Sequence, residues 1–171
     1  THPSFGKMMA DAISRATGLT FRETQNHFQS QAAQDALVAA SGALRTLAVS
    51  LVKIANDVRW LGSGPRCGIR EIRIPALQPG SSIMPGKVNP VIPELVNQIC
   101  YQVMGYDTVV SMAAEASELE LCMAEPIIAF DLLHGMMILR NACVTLTSRC
   151  IVGIEANHAV CRGDVENSIG L

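Results

Sequence analysis

Aromatic residues are scarce in this chain: one Trp, two Tyr and four Phe make up 4% of 171 residues. Any core must therefore be built from Leu, Ile, Val, Ala and Met. Charged residues are also sparse, at 16%, with a formal net charge of -2. No run of Lys or Arg forms a nucleic-acid footprint; the nearest grouping, Arg66, Arg70 and Arg73, is interrupted by Glu71. Asp131, Arg140 and Arg149 cut the apolar runs of the third long segment, which predicts that none reaches membrane-spanning length. Nothing reads as a secretory leader, and the chain opens on Thr1 without a methionine, as a piece of something longer would. The six cysteines include no C-x-x-C pair and read as buried free thiols in a reducing compartment, so a cytoplasmic location is expected. No spacing among His2, His27, His134 and His158 resembles a metal site, and neither metal nor cofactor is expected. His134, between Leu133 and Gly135, reads as a satisfied core or interface group.

Aliphatic surface is plentiful instead, with 49% apolar residues in a chain long enough for one domain with a real core. Residues 3 to 18 place Phe5, Met8, Met9, Ile13 and Ala16 at helical spacing between Pro3 and Gly18, a start and a stop signal. Residues 20 to 27 are polar and read as a connection. The spacing then predicts one helix from about Phe28 to Leu61, its seam running Ala33, Leu37, Ala40, Leu44, Leu47, Leu51, Ile54, Val58, Leu61. Gly62-Ser63-Gly64-Pro65 end it, and residues 65 to 79 are irregular. A second long helix is predicted from Pro90 to about Ala116, on a seam of Ile92, Val96, Ile99, Val103, Tyr106, Val110 and Ala113. A third runs from Pro126 to about Ile151 through Ile127, Phe130, Leu133, Met137, Val144 and Ile151, with Met136 and Met137 as core filler. The fold class is all-α, a long-helix bundle with an irregular loop segment between helices. Apolar residues on several helix faces suit the core of an oligomer better than a free monomer.

The loop between the first two long helices, Gly80-Ser81-Ser82-Ile83-Met84-Pro85-Gly86-Lys87-Val88-Asn89-Pro90, sets two hydroxyls, an ammonium and an amide between glycines and prolines. Gly80 and Gly86 open backbone angles closed to other residues and serve as candidate hinges, while Pro85 and Pro90 limit the freedom between them. Amides near Ser81 and Ser82 can form an anion nest, Lys87 supplies positive charge, and Asn89 offers a donor and an acceptor. The set suits a carboxylate and the negative charge that develops on it. A serine here can act as nucleophile or as base, and either role needs nearby positive charge and amides. No histidine is nearby in sequence and no G-x-S-x-G pattern occurs, which weakens an ester-hydrolase reading; the P-loop pattern is also missing. Glu94, seven residues after Lys87, is either a helix N-terminal carboxylate or the partner of a histidine supplied from elsewhere.

The stretch Gly80 to Pro90 resembles the signature of the fumarase/aspartase superfamily, homotetrameric lyases acting across the double bond of fumarate or its adducts. Lys53-Ile54-Ala55-Asn56-Asp57-Val58-Arg59 and Ser63-Gly64-Pro65-Arg66 resemble the segment before that signature. The resemblance implies that residues 1–152 are the C-terminal half of a central helical bundle domain, and that 153–171 begin a small C-terminal domain. It implies that Ser81 is the catalytic base and that Glu94 pairs with a catalytic histidine. Lys87 and Asn89, with Ser82 and Met84 beside them, would bind substrate; Ile83, Met84 and the glycines would let the loop close. Val96-Asn97-Gln98, Met112 to Ala116 and the tail through Asn167-Ser168-Ile169-Gly170 lean towards elimination of ammonia from aspartate. Residues 26 to 35 and Asp57-Val58-Arg59-Trp60 lean towards hydration of fumarate to malate, the alternative. Cys122 stands where the superfamily usually has Asn after a Glu-Leu pair, a change that would weaken polar ordering there. The partners implied are a small dicarboxylate and three further copies of the chain, with sites shared between subunits and neither nucleic acid nor membrane. The gripping Ser/Thr segments and the histidine fall before Thr1, so residues 1–171 alone are expected to lack appreciable lyase activity. A non-catalytic helical interaction protein is the rival from another class.

Overall fold

The structure, a computed structural model, describes residues 1–168; Ile169 and Gly170 of the tail motif lie outside the described residues. The elements are α1 (Phe5–Thr17), α2 (His27–Ala32), α3 (Asp35–Leu61), β1 (Ile72–Arg73), α4 (Val91–Glu115), α5 (Glu125–Arg149), a 3-10 turn (Ile151–Gly153), β2 (Glu155–Ala156) and α6 (His158–Glu166). The all-α class holds. α1 stops at Gly18, whose φ of 72° is the left-handed position that glycine supplies, and its amide donates back to Ser14 O.

The helix expected from Phe28 to Leu61 is split. Asn26 caps α2 by accepting from Gln29 N at 3.1 Å, but Ala33 turns extended and α3 starts afresh at Asp35. Tertiary bonds support the break, because Gln31 O accepts from Cys122 N at 3.1 Å and Gln34 Nε2 donates to Glu125 Oε1 at 3.0 Å. Helical spacing could not reveal it, since both bonds come from a segment about ninety residues away. The irregular stretch after α3 also contains β1, which pairs antiparallel with β2, Ile72 opposite Ala156 and Arg73 opposite Glu155. Asn157 extends the staple, donating from N to Glu71 O and from Nδ2 to Arg70 O.

α3, α4 and α5 form the core. On α3 the buried residues are Ser41, Ala48, Ala55 and Val58, while Leu37, Leu47 and Ile54 of the expected seam are exposed. Small side chains seven residues apart let α4 approach closely, so the larger ones flank the contact. The α4 seam agrees better: Val96, Val103, Val110 and Ala113 are buried, joined by Asn97, Cys100 and Asp107. The expected α5 face is wrong. Ile127, Phe130, Leu133, Met137, Val144 and Ile151 are exposed, as is Met136, while Ile128, Leu132, Gly135, Leu139, Ala142 and Leu146 are buried. A helix apolar nearly all round gives periodicity no means of choosing a face.

The expectation about membrane-spanning length also fails. Asp35–Leu61 and Glu125–Gly153 are long enough to cross a membrane, and each contains an 18-residue window apolar enough to do so, of mean hydropathy 1.6 and 1.5. The charges on α5 are too widely spaced to break an 18-residue apolar window. Composition therefore leaves lipid and protein as possible covers for these helices.

Cys100, Cys122 and Cys150 are buried as expected, but Cys67 is exposed. Burial, with Cys143 nearby, pushes the Cys100 thiol up to about 11, so it stays protonated and inert at neutral pH. Cys122 sits with Val110, Ala113, Ile128 and Leu132, an apolar cluster that a thiol suits.

The α3–α4 contact yields a prediction. Ala48 is 0% exposed, so Ala48→Leu in the full-length protein should cost about 1–3 kcal/mol through overpacking. Chemical denaturation at fixed protein concentration would register this as a lowered midpoint; an unchanged midpoint would show that the contact has slack.

Candidate active site

The loop from Gly80 to Pro90 is closed by its own hydrogen bonds. Gly80 N donates to Lys87 O at 2.7 Å, Asn89 Nδ2 donates to Gly80 O at 3.2 Å, and Lys87 N donates to Met84 O at 3.3 Å. Gly80 is thus held at both polar groups in this conformation. A Cβ on it would lie 2.9 Å from Asn89 Cγ and Oδ1, so close approach of Asn89 is what demands glycine there. Gly86, with φ 77°, occupies the left-handed region expected of a permissive turn residue.

Within this clasp Ser81 Oγ accepts from Ile83 N and Met84 N, each at 3.2 Å. Two N–H dipoles directed at one oxygen favour negative charge on it, the condition a serine base requires. Ser81 is half-buried, whereas Ser82, Met84 and Lys87 are exposed. Among the described residues the Lys87 ammonium has no hydrogen-bond or ion-pair partner, which leaves it available to an anion. Asn89 is half-buried and braces the base of the loop. Ile83 is 84% exposed and Val88 and Met84 about half, so the crown carries apolar side chains in the open.

Pro90 leads into α4, and Glu94 lies in its first turn, with its N–H donating to Pro90 O. The carboxylate faces α3: Arg59 Nη2 lies 4.0 Å from Glu94 Oε1. Arg59 Nη1 also donates to Asn56 Oδ1 at 3.1 Å, which in turn accepts from Asn97 Nδ2 at 2.8 Å. No role emerges for Asn56, Arg59 or Asn97 from the sequence, although the one-turn spacings 56–59 and 94–97 do align two pairs of residues on facing helices. His134 is elsewhere on the bundle, bonded through Nδ1 to Tyr106 Oη at 2.9 Å and stacked on Phe130, a satisfied group as expected. Among the described residues no cluster of three His, Cys, Asp or Glu is placed to hold a metal ion.

The family described as Lyase matches residues 1–105. The chain belongs to the fumarase/aspartase superfamily of lyases. It is 47% identical over 171 residues to an aspartate ammonia-lyase of Helicobacter pylori, covering 100% of this chain and 36% of that protein. It is also 47% identical over 167 residues to a class II fumarate hydratase of Thermosynechococcus vestitus, covering 98% of this chain and 36% of that one. A class II fumarase from Schistosoma mansoni superposes with a TM-score of 0.94 at 34% identity, over 97% of this chain and 38% of that one. The chain therefore spans little more than a third of the length of these superfamily members.

The Gly80–Asn89 contact can be tested in the full-length protein. Gly80→Ala should displace Asn89 and lower kcat/KM at least roughly tenfold, with the helical circular-dichroism signal unchanged. Steady-state kinetics check this, and wild-type turnover would mean that Asn89 does not need its present place.

Proposed function

We propose that the full-length protein is a carbon–nitrogen lyase that eliminates ammonia from L-aspartate, reversibly and with anti geometry, to give fumarate. The observation that carries the lyase chemistry is Ser81 Oγ accepting two backbone N–H bonds on the same clasped loop as Lys87, whose ammonium has no partner among the described residues. In the proposed reaction Ser81 removes the proton from the carbon beside one substrate carboxylate. The electron pair moves into that carboxylate to form an aci-carboxylate dianion, which Lys87 and Asn89 hold, with Ser82 and Met84 beside the substrate. Collapse of the dianion forms the double bond and expels ammonia from the neighbouring carbon. Glu94 pairs with a histidine contributed from outside these residues. Closure of the loop, swinging about Gly80 and Gly86, would bring Ile83 and Met84 over the substrate and exclude water.

Assembly as a cytoplasmic homotetramer with shared active sites completes the reading. It is supported by the exposed apolar faces of α3 and α5 and by an open groove of about 380 Å³ lined by Leu95, Gln98, Ile99, Gln102, Ile138 and Asn141. Residues 1–152 would then be the later part of the central helical domain and 153–171 the start of a smaller one.

Fumarate hydratase is the second reading, favoured by the Thermosynechococcus vestitus relative at the same 47% identity. Water and ammonia leave from the same carbon after the same proton abstraction, so the loop serves both.

One measurement tests the shared proton abstraction and a second separates the two readings. Ser81→Ala in the full-length protein should lower kcat by about a thousandfold, roughly 4 kcal/mol of transition-state stabilisation, with assembly intact. A variant keeping most of its turnover would remove Ser81 as the base. Parallel assays of ammonia release from aspartate and fumarate formation from malate should give turnover with aspartate; turnover with malate alone would establish the hydratase.

A further inference from the structure

The two faces that α3 and α4 turn towards each other near the loop carry a polar chain inside an otherwise apolar contact. Asn97 is 5% exposed, with Ala55, Val96 and Cys100 of the core cluster close to it in sequence or across the seam. A branched apolar side chain would fill such a position without leaving polar atoms to satisfy. Asn97 instead spends its Nδ2 on Asn56 Oδ1 at 2.8 Å, and its own Oδ1 is buried with no partner among the described residues.

The orientation of both amides is fixed by chemistry. Arg59 Nη1 can only donate, so the Asn56 atom it meets at 3.1 Å must be the oxygen. An oxygen already facing a guanidinium then requires Asn97 to present its nitrogen. The orphaned Asn97 oxygen is thus a consequence of holding Arg59, and flipping the amide would break the chain. An exposed Arg–Glu pair at 4.0 Å would by itself be loosely ordered. With Nη1 anchored through Asn56 to the buried Asn97 of α4, Nη2 is held towards Glu94 Oε1, and Oε2 has no partner among the described residues.

We propose that Asn97, Asn56 and Arg59 form a positioning relay that fixes the Glu94 carboxylate and leaves one of its oxygens for the imidazole it pairs with. The relay rests on the reading of Glu94 given above. In this role the three residues act through Glu94 rather than on the substrate. The two ends of the chain lie one turn apart on α4, at positions 94 and 97, so α4 holds both the anchor and the group being placed. Asn56 and Arg59 of α3 form the bridge between them.

A double-mutant cycle on the full-length, assembled enzyme tests this. Glu94→Gln alone should lower kcat/KM; if it does not, the reading of Glu94 fails and the relay with it. Given that loss, Asn97→Ala should lower kcat/KM roughly tenfold in the wild-type background and less than about twofold in the Glu94→Gln background, the non-additivity of residues acting through one another. Equal losses in the two backgrounds, or no loss in the wild type, would overturn the relay while leaving the role of Glu94 intact. Where Asn97→Ala does not assemble, the same cycle is run with Arg59→Gln at the half-exposed end of the chain, and the same outcomes decide.

Discussion

The contact between α3 and α4 is the constraint on which the other features depend. Ala48 and Ala55 lie seven residues apart in one cluster with α4, and their small size lets the helices approach until Val96, Cys100 and Val103 fill the space between them. Because α4 is located by that contact, so are its first turn and the loop that enters it. Pro90 ends the loop where α4 begins, and Glu94 is carried one turn inside. The catalytic reading of a flexible-looking segment therefore rests on the fit of alanines to valines some distance away.

Within the loop, rigidity and exposure are divided. The base is pinned by the Gly80–Lys87 and Asn89–Gly80 bonds, and Ser81 is buttressed by the amides of Ile83 and Met84. The crown, with Ile83, Met84 and Val88, stands in solvent. This arrangement suits a site in which charge-stabilising amides are preorganised while the side chains of the same residues stand free to cover a substrate. The same dipoles that favour charge on the proposed base require no motion of their own at the moment of reaction. The polar groups of the loop thus serve its own geometry and its proposed chemistry together.

Much of this was legible in the residues. Pro90 and Pro126 near the starts of long helices, Gly18 at a stop and the glycines around Ser81 all act locally, and local signals survive in a linear string. The Val96–Val103–Val110 seam was also readable because α4 is buried on one side. What escaped depends on partners distant in sequence. The break at Ala33 follows from Cys122 N and Glu125 reaching back to α2 and Gln34, and the β1–β2 pair needs residues 72 and 156 to meet. The face of α5 was unreadable for another reason, since an almost uniformly apolar helix has no preferred side in its own sequence. The polar chain from Asn97 to Arg59 escaped because its spacing means nothing until α3 and α4 are placed side by side.

That uniform apolar surface on α3 and α5 poses a choice of cover, lipid or protein. Hydropathy alone permits lipid for both helices. The charges favour protein. Arg45, midway along α3, bridges to the buried Asp107 of α4 at 3.1 Å, and Asp131 is buried within α5, where burial raises its carboxyl above the usual range and His134 opposes the shift. In a bilayer the exposed half of the Arg45 pair would lie at the depth where an ionised side chain is most costly, whereas in a bundle its guanidinium can find further acceptors. A lipid-facing helix would also have no use for Asn56 and Asn97, whose amides order a charged pair at the α4 entrance. The proposed subunit copies would meet both demands, covering aliphatic surface and leaving polar groups at the helix ends beside a site proposed to draw residues from more than one chain.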